Sequence, residues 1–146
     1  MGSEILTKWV VALEIPVEET DLNENAHVDR DVLLGWFARA RAAYLEQCPS
    51  LVDGSLEPTV KTLEMKLRRP VEHPDTVLIA ASVTELGERW FTMTCRVRSL
   101  LGGHGVVADG RCTMEVVDPR TGESVPVPEP LRRDFFALEM GARFHS

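Results

Sequence analysis

Residues 20–47 read TDLNENAHVDRDVLLGWFARARAAYLEQ, and two contrasting halves meet inside them. The first twelve positions carry four carboxylates (Asp21, Glu24, Asp29 and Asp31), two asparagines, His27 and Arg30, with no Pro or Gly. From Val32 onward, apolar side chains return every three or four positions: Leu33, Trp36, Phe37, Ala40 and Tyr44, with Ala43 close by. That spacing is the stripe of a helix packed on one side, and Arg39, Arg41 and Glu46 fall off it. It predicts a helix over 31–47. Asp29 suits the N-cap, where a short oxygen-bearing side chain accepts from a first-turn N–H. Asp31 in the first turn complements the helix dipole, and Pro49 forbids continuation. A crowded polar segment therefore stands at the mouth of the most apolar helix in the chain.

Outside this stretch the period changes from helical to two. Segment 8–15, KWVVALEI, sets Trp9, Val11, Leu13 and Ile15 on one face and Lys8, Val10, Ala12 and Glu14 on the other, which reads as a strand. Segment 59–68 places Leu63, Met65 and Leu67 opposite Thr62, Glu64, Lys66 and Arg68. Segment 76–86, TVLIAASVTEL, is apolar on both faces, as a central strand must be. Segments 89–100 and 105–117 alternate again, with turns at Gly87-Glu88 and Gly102-Gly103. His73 and His104 fall in turns. The tail from Asp118 carries four prolines and then a short helical piece. The order is strand, long helix, then four strands linked by hairpins. A helix of about 17 residues spans roughly 25 Å and covers one face of a five-stranded antiparallel sheet about 24 Å wide.

The totals bound the function. The 146 residues form one domain, 1–146, with 44% apolar and 27% charged residues, ordinary values for a globular protein. A net charge of −7 argues against nucleic acid or an anionic membrane as partner. No apolar run reaches the length needed to span a bilayer, and the start lacks the basic and apolar regions of a secretory signal. Three cysteines (Cys48, Cys95 and Cys112) without a C-x-x-C favour reduced thiols. Cytoplasm is the expected compartment. No metal-ligand set and no Gly-rich phosphate loop is visible, so no cofactor is expected.

The order strand, D-x-N…H-V, long helix and antiparallel meander resembles the hotdog-fold acyl-CoA thioesterases. The 4-hydroxybenzoyl-CoA thioesterase-like and acyl-carrier-protein thioesterase-like branches are the most similar. Their loop reads roughly D-x-N-G-H-V-N-N; here it is Asp21-Leu22-Asn23, Glu24-Asn25-Ala26, His27-Val28-Asp29-Arg30. The stretches MKLRRPVEHPDTVLIAASVTELGERWFTMTCRVRS and VADGRCTMEVVDPRTGESVPVPEPLRRDF resemble the family's later strands and closing tail. The resemblance implies an α+β hotdog fold, one long central helix wrapped by a five-stranded sheet, and pairing of subunits as a homodimer or homotetramer. It also implies hydrolysis of an acyl-CoA or acyl-carrier-protein thioester at the helix N-terminus.

That chemistry suits the opening stretch. First-turn N–H groups lack internal partners and stabilise a developing oxyanion, and a nearby carboxylate activates water. Two placements of the family's acidic group stay open. If the two extra residues before His27 are an insertion, Asp21 takes it; if the loop is read backward from the helix without a gap, Asn23 does. His27 would orient the site. Glu64 is the remaining catalytic candidate, against a plain cross-strand pairing with Arg96 or Arg98. Asp29 and Arg30 flank the substrate, Trp36 and Phe37 would line the acyl chain, and Arg68, Arg69 and Arg89 would meet phosphates. A non-catalytic acyl-thioester-binding protein on the same fold is the rival reading.

Overall fold

The protein is described by a computed structural model covering residues 9–103 and 105–144. Lys8 and His104, included above in a strand and a turn, lie outside the described residues. Strand β1 (Val11–Pro16) leads through the polar loop to helix α1 (Arg30–Leu45). Strands β2 (Glu57–Leu67), β3 (Thr76–Leu86), β4 (Phe91–Ser99) and β5 (Val106–Asp118) follow, then a short β6 (Glu123–Val125) and helix α2 (Glu129–Phe144). The sheet is antiparallel throughout, in the order β1-β3-β4-β5-β2, with β6 paired to the end of β5. It thus has six strands rather than five, the sixth being three residues long.

Register sorts the side chains. Ala81, Cys95 and Gly110 lie side by side across β3, β4 and β5 on the face toward α1. Leu33, Phe37, Ala40 and Tyr44 of α1 press onto that face and are fully enclosed, each large apolar side chain contributing about 2 kcal/mol by leaving water. Gly110 is what lets the helix sit this close: a carbon built at its Cβ position would stand 2.9 Å from the Phe37 ring. Two expectations about faces change. Arg41 belongs to the buried face of α1, not to the solvent side. Trp9, ahead of a bend at Val10, reaches the outer face, where Arg96 lies 5.8 Å from its ring centroid.

The tail also differs from expectation. Helix α2 spans 16 residues, as many as α1. Leu131 and Phe135 enter the core, and the Phe135 ring lies against Phe91 and Tyr44. Glu139 joins α2 to both other layers, accepting from the Tyr44 hydroxyl at 2.6 Å and the Val83 N–H at 2.9 Å.

The sheet therefore has two distinct ends. At one end lie Pro16, Thr76, Ser99, Val106 and Leu67, with the start of α1. At the other lie α2, β6 and the end of α1. The polar loop belongs to the first end.

Candidate active site

The loop between β1 and α1 is a small hairpin that closes on itself. Leu22 and Val28 form an isolated antiparallel bridge. Around them, Asn23 N–H donates to His27 O at 2.7 Å, Ala26 N–H to Asn23 O at 3.0 Å, and Asp29 N–H to Asp21 O at 3.0 Å. The Asn23 side chain stitches the turn from inside: its Oδ1 accepts from the Asn25 N–H at 2.8 Å and the His27 N–H at 3.2 Å. Ala26 holds φ at +63°, the left-handed region that glycine adopts without cost. It stands directly before His27, where the family loop has glycine. The backbone there thus takes a shape that glycine adopts freely, without a glycine.

Two anchors fix this hairpin to the sheet end. Val28 N–H donates to Val71 O at 2.8 Å, tying it to the segment after β2. Val17 N–H donates to Asp75 O at 2.9 Å. Asp75 is a hub that the sequence pattern does not reveal. Its carboxylate accepts from the Thr76 N–H, the Leu101 N–H and the Ser99 hydroxyl, holding the β2–β3 and β4–β5 connections together.

At the helix start, Asp29 caps as expected, its Oδ1 accepting from the Arg30 N–H at 3.0 Å. Val32 and Leu33 N–H groups return to Asp29 O. The Asp31 N–H has no acceptor among the described residues and is the first-turn donor left for a ligand. Asp21 is half-buried beside the N-cap; its Oδ2 accepts from the Glu18 N–H at 2.8 Å, and no bond engages its Oδ1 among the described residues. Asn23 is exposed, and since its Oδ1 is occupied, its free group is the Nδ2 donor. His27 turns toward Glu72, with Nε2 3.8 Å from the carboxylate.

Not every candidate gathers here. Arg68 and Arg69 end β2 at the loop's end of the sheet: Arg68 pairs with Asp109 at 2.6 Å, and Arg69 donates to Gly102 O at 3.2 Å. Arg89 belongs to the β3–β4 turn at the opposite end and donates to Ser124 O, so it is not brought to the loop. Glu64 faces away from α1. It stands opposite Arg111 across β2 and β5, lining a polar recess of the outer sheet face with Lys66, Arg68, Arg96 and Asp109. Arg111 itself pairs with Glu85. Trp36 and Phe37 are packed into the core and offer no open wall to an acyl chain. The α1-facing row of β2 is apolar and partly uncovered, with Leu63 38% exposed. Among the described residues no cluster of three or more His, Cys, Asp or Glu side chains is placed to hold a metal ion, and no helix is long and apolar enough to cross a membrane.

A sequence model of the thioesterase-like superfamily matches residues 17–135, from just past β1 to the middle of α2. The chain belongs to the thioesterase-like superfamily. No curated protein sequence matches it. Among solved structures it is similar to a thioesterase from Thermus thermophilus complexed with coenzyme A and Zn, at 24% identity and TM-score 0.79, covering 91% of this chain and 96% of that one. A putative thioesterase from Pseudomonas aeruginosa is similar at 25% identity and TM-score 0.75, covering 86% and 98%. The probable thioesterase YbaW from Escherichia coli follows at 22% and 0.78, covering 90% and 98%. The six-stranded sheet and its long helix match this superfamily's hotdog fold.

Proposed function

We propose that the protein hydrolyses an acyl thioester to the free acid and thiol, with the thioester carbonyl seated at the start of α1. The observation that carries this reading is the conjunction of a free first-turn N–H at Asp31 with a half-buried Asp21 carboxylate and the Asn23 amide, all held by a self-bonded loop. As water attacks, the carbonyl oxygen gains negative charge. The Asp31 N–H and the positive end of the helix stabilise it. Asn23 cannot act as a base near neutral pH, but its Nδ2 can hold the carbonyl or the water. Asp21 Oδ1 takes the water's proton, and the tetrahedral adduct collapses by expelling the thiolate, a good leaving group. His27, between the loop and Glu72, positions this segment; Asp29 and Arg30 border the entrance.

Coenzyme A is the favoured carrier. The Thermus thermophilus relative is complexed with it, and Arg68 and Arg69 lie at the same sheet end as the loop, where guanidinium groups suit phosphates. A carrier protein bearing the same phosphopantetheine arm is the second possibility. A homodimer fits the exposed edge of β2, where Val60 is 44% exposed and unpaired backbone groups invite a partner. A non-catalytic thioester-binding protein remains the rival reading.

The test is release of free thiol from a panel of acyl-CoAs by the wild type, Asp21→Asn and Asn23→Ala. Asparagine at 21 still accepts from the Glu18 N–H, so the loop survives. Loss of a general base lowers kcat by about 10²–10⁴. Full activity in Asp21→Asn removes that carboxylate from the mechanism, and binding without thiol release by the wild type establishes the rival.

A further inference from the structure

One polar group of the core has no use in the chemistry above. Arg41 sits on the inner face of α1 and is only 9% exposed. Its Nη1 is enclosed and has no hydrogen-bond acceptor among the described residues. Its guanidinium acts on the Cys95 and Cys112 thiols, with a side-chain hydrogen bond to Cys95. Burial pushes Cys95 up to about 11 and Cys112 also upward, the guanidinium acting in the opposite direction. Both thiols are therefore neutral at physiological pH and supply no counter-charge. A buried guanidinium nitrogen without an acceptor is costly, and Nη1 is free to take an oxygen from outside this chain's own fold.

The surroundings say where that oxygen comes from. Leu63, Met65 and Leu67 of β2 lie opposite Cys112, Gly110 and Ala108 of β5, on the face toward α1. This row is only partly covered, most openly at Leu63. It starts beside the segment that accepts from Val28 in the loop and ends level with Cys112, whose thiol feels the guanidinium. From Leu67 to Leu63 is four residues, roughly 13 Å of strand. Side chains of a helix lean toward its N-terminus, which turns Arg41 back toward the loop.

We propose that this strip is the acyl subsite and that Arg41 is its polar anchor, so that the acyl group handled here carries an acceptor oxygen far along its chain, about eight to ten carbons from the thioester carbonyl. The proposal rests on the thioesterase reading and adds the class of acyl group. A ketone or hydroxyl oxygen and a terminal carboxylate share the required chemistry. The carboxylate additionally neutralises the buried cation.

The test compares three thioesters of coenzyme A with chains of about ten carbons. One is saturated, one carries a ketone near its far end, and one ends in a carboxylate. Because a site built to hydrogen-bond an oxygen discriminates against the analogue lacking it, kcat/KM for at least one oxygenated chain should exceed the saturated value by about tenfold or more. In Arg41→Met the ratio should fall to near one, and the arm with the higher ratio identifies the oxygen. In parallel, the free acids are added to the wild type and the shift in Tm is read. The oxygenated acid should stabilise more than the saturated acid, whether or not any thioester is hydrolysed. Hydrolysis of all three chains at equal rates, with equal Tm shifts, overturns the subsite and leaves the thioesterase reading standing. No hydrolysis together with a selective Tm shift does the reverse. Should Arg41→Met fail to fold, the two wild-type comparisons still decide the matter, and a Tm shift preserved in Arg41→Lys at full size would overturn the role of the guanidinium fork.

Discussion

Gly110→Ala probes how closely α1 is set into the sheet. The added carbon would lie 2.9 and 3.0 Å from two Phe37 ring carbons, with a third at 3.2 Å. Two effects oppose each other. Alanine restricts the unfolded chain and by itself favours folding by about 0.4–1 kcal/mol. Forcing a methyl into a filled core costs about 1–3 kcal/mol. Phe37 is fully buried and α1 is held at its far end by the Tyr44–Glu139 bond, so the ring has little room to withdraw. The overpacking effect wins, for a net loss of roughly 1–2 kcal/mol. At this chain length that is about 3–8 °C in Tm. Urea unfolding of Gly110→Ala, Phe37→Leu and the double variant forms a closed cycle. Leucine at 37 should recover about 1 kcal/mol in the alanine background, because the two sites share one contact. A Gly110→Ala protein as stable as the wild type, or strictly additive single effects, would refute the close approach of helix and sheet.

Two further predictions come from the same core. Tyr44→Phe removes the hydroxyl that reaches Glu139 at 2.6 Å; it should cost about 1–3 kcal/mol and speed amide exchange across α2, and unchanged exchange would sink the idea that this bond holds α2 down. Burial raises Cys48 from an ordinary 9.0 to about 12 and Cys95 to about 11. The folded state thus keeps thiol protons that the unfolded state releases, and stability contributed below pH 9 is lost as pH rises toward 11–12. Alkaline unfolding in that window, with slow thiol labelling of the native protein at pH near neutrality, is the expected pair of results.

What the sequence reveals follows the range of the interactions involved. Strand β3 spans the same residues that the two-sided apolar run marks, 76–86, because a run of eleven β-prone residues bounded by turns is read locally. Helix α1 begins at its expected cap because capping is local. Helix α2 looks short in the sequence because Pro126, Pro128 and Pro130 crowd its start, although Pro130 lies in the first turn, where a missing N–H costs nothing. Its apolar spacing at Leu131, Phe135 and Leu138 is nonetheless present throughout. Arg41 falls off the expected stripe because charge argues for exposure, yet positions 33, 37, 40, 41 and 44 share one side of α1. Asp75 is illegible for another reason: it gathers Val17, Ser99 and Leu101, none of which any local pattern connects to it.

The loop shows most clearly how structure limits chemistry here. Its polar side chains suggest many catalytic groups, but folding the hairpin engages three of their oxygens. Asn23 Oδ1 is spent on two N–H groups of its own turn, Asp21 Oδ2 on Glu18, and Asp29 Oδ1 on Arg30. Beside the helix start this leaves Asp21 Oδ1, Asn23 Nδ2 and the Asp31 N–H without a partner among the described residues. In the proposed mechanism these supply donors for the developing oxyanion and an acceptor for the proton of the attacking water. A loop that kept its oxygens free would present several competing acceptors to the same water. It would also need another source of rigidity, since without those bonds only the Val28 and Val17 anchors tie it to the sheet. The left-handed Ala26 fits the same logic. Its backbone cost, about 1–2 kcal/mol for a residue with a side chain, is offset by the two Asn23 bonds, each worth about 1 kcal/mol. In the proposed mechanism Asn23 therefore has two duties, shaping the turn through its oxygen and meeting substrate through its nitrogen, and an aspartate in its place would keep the first while losing the second.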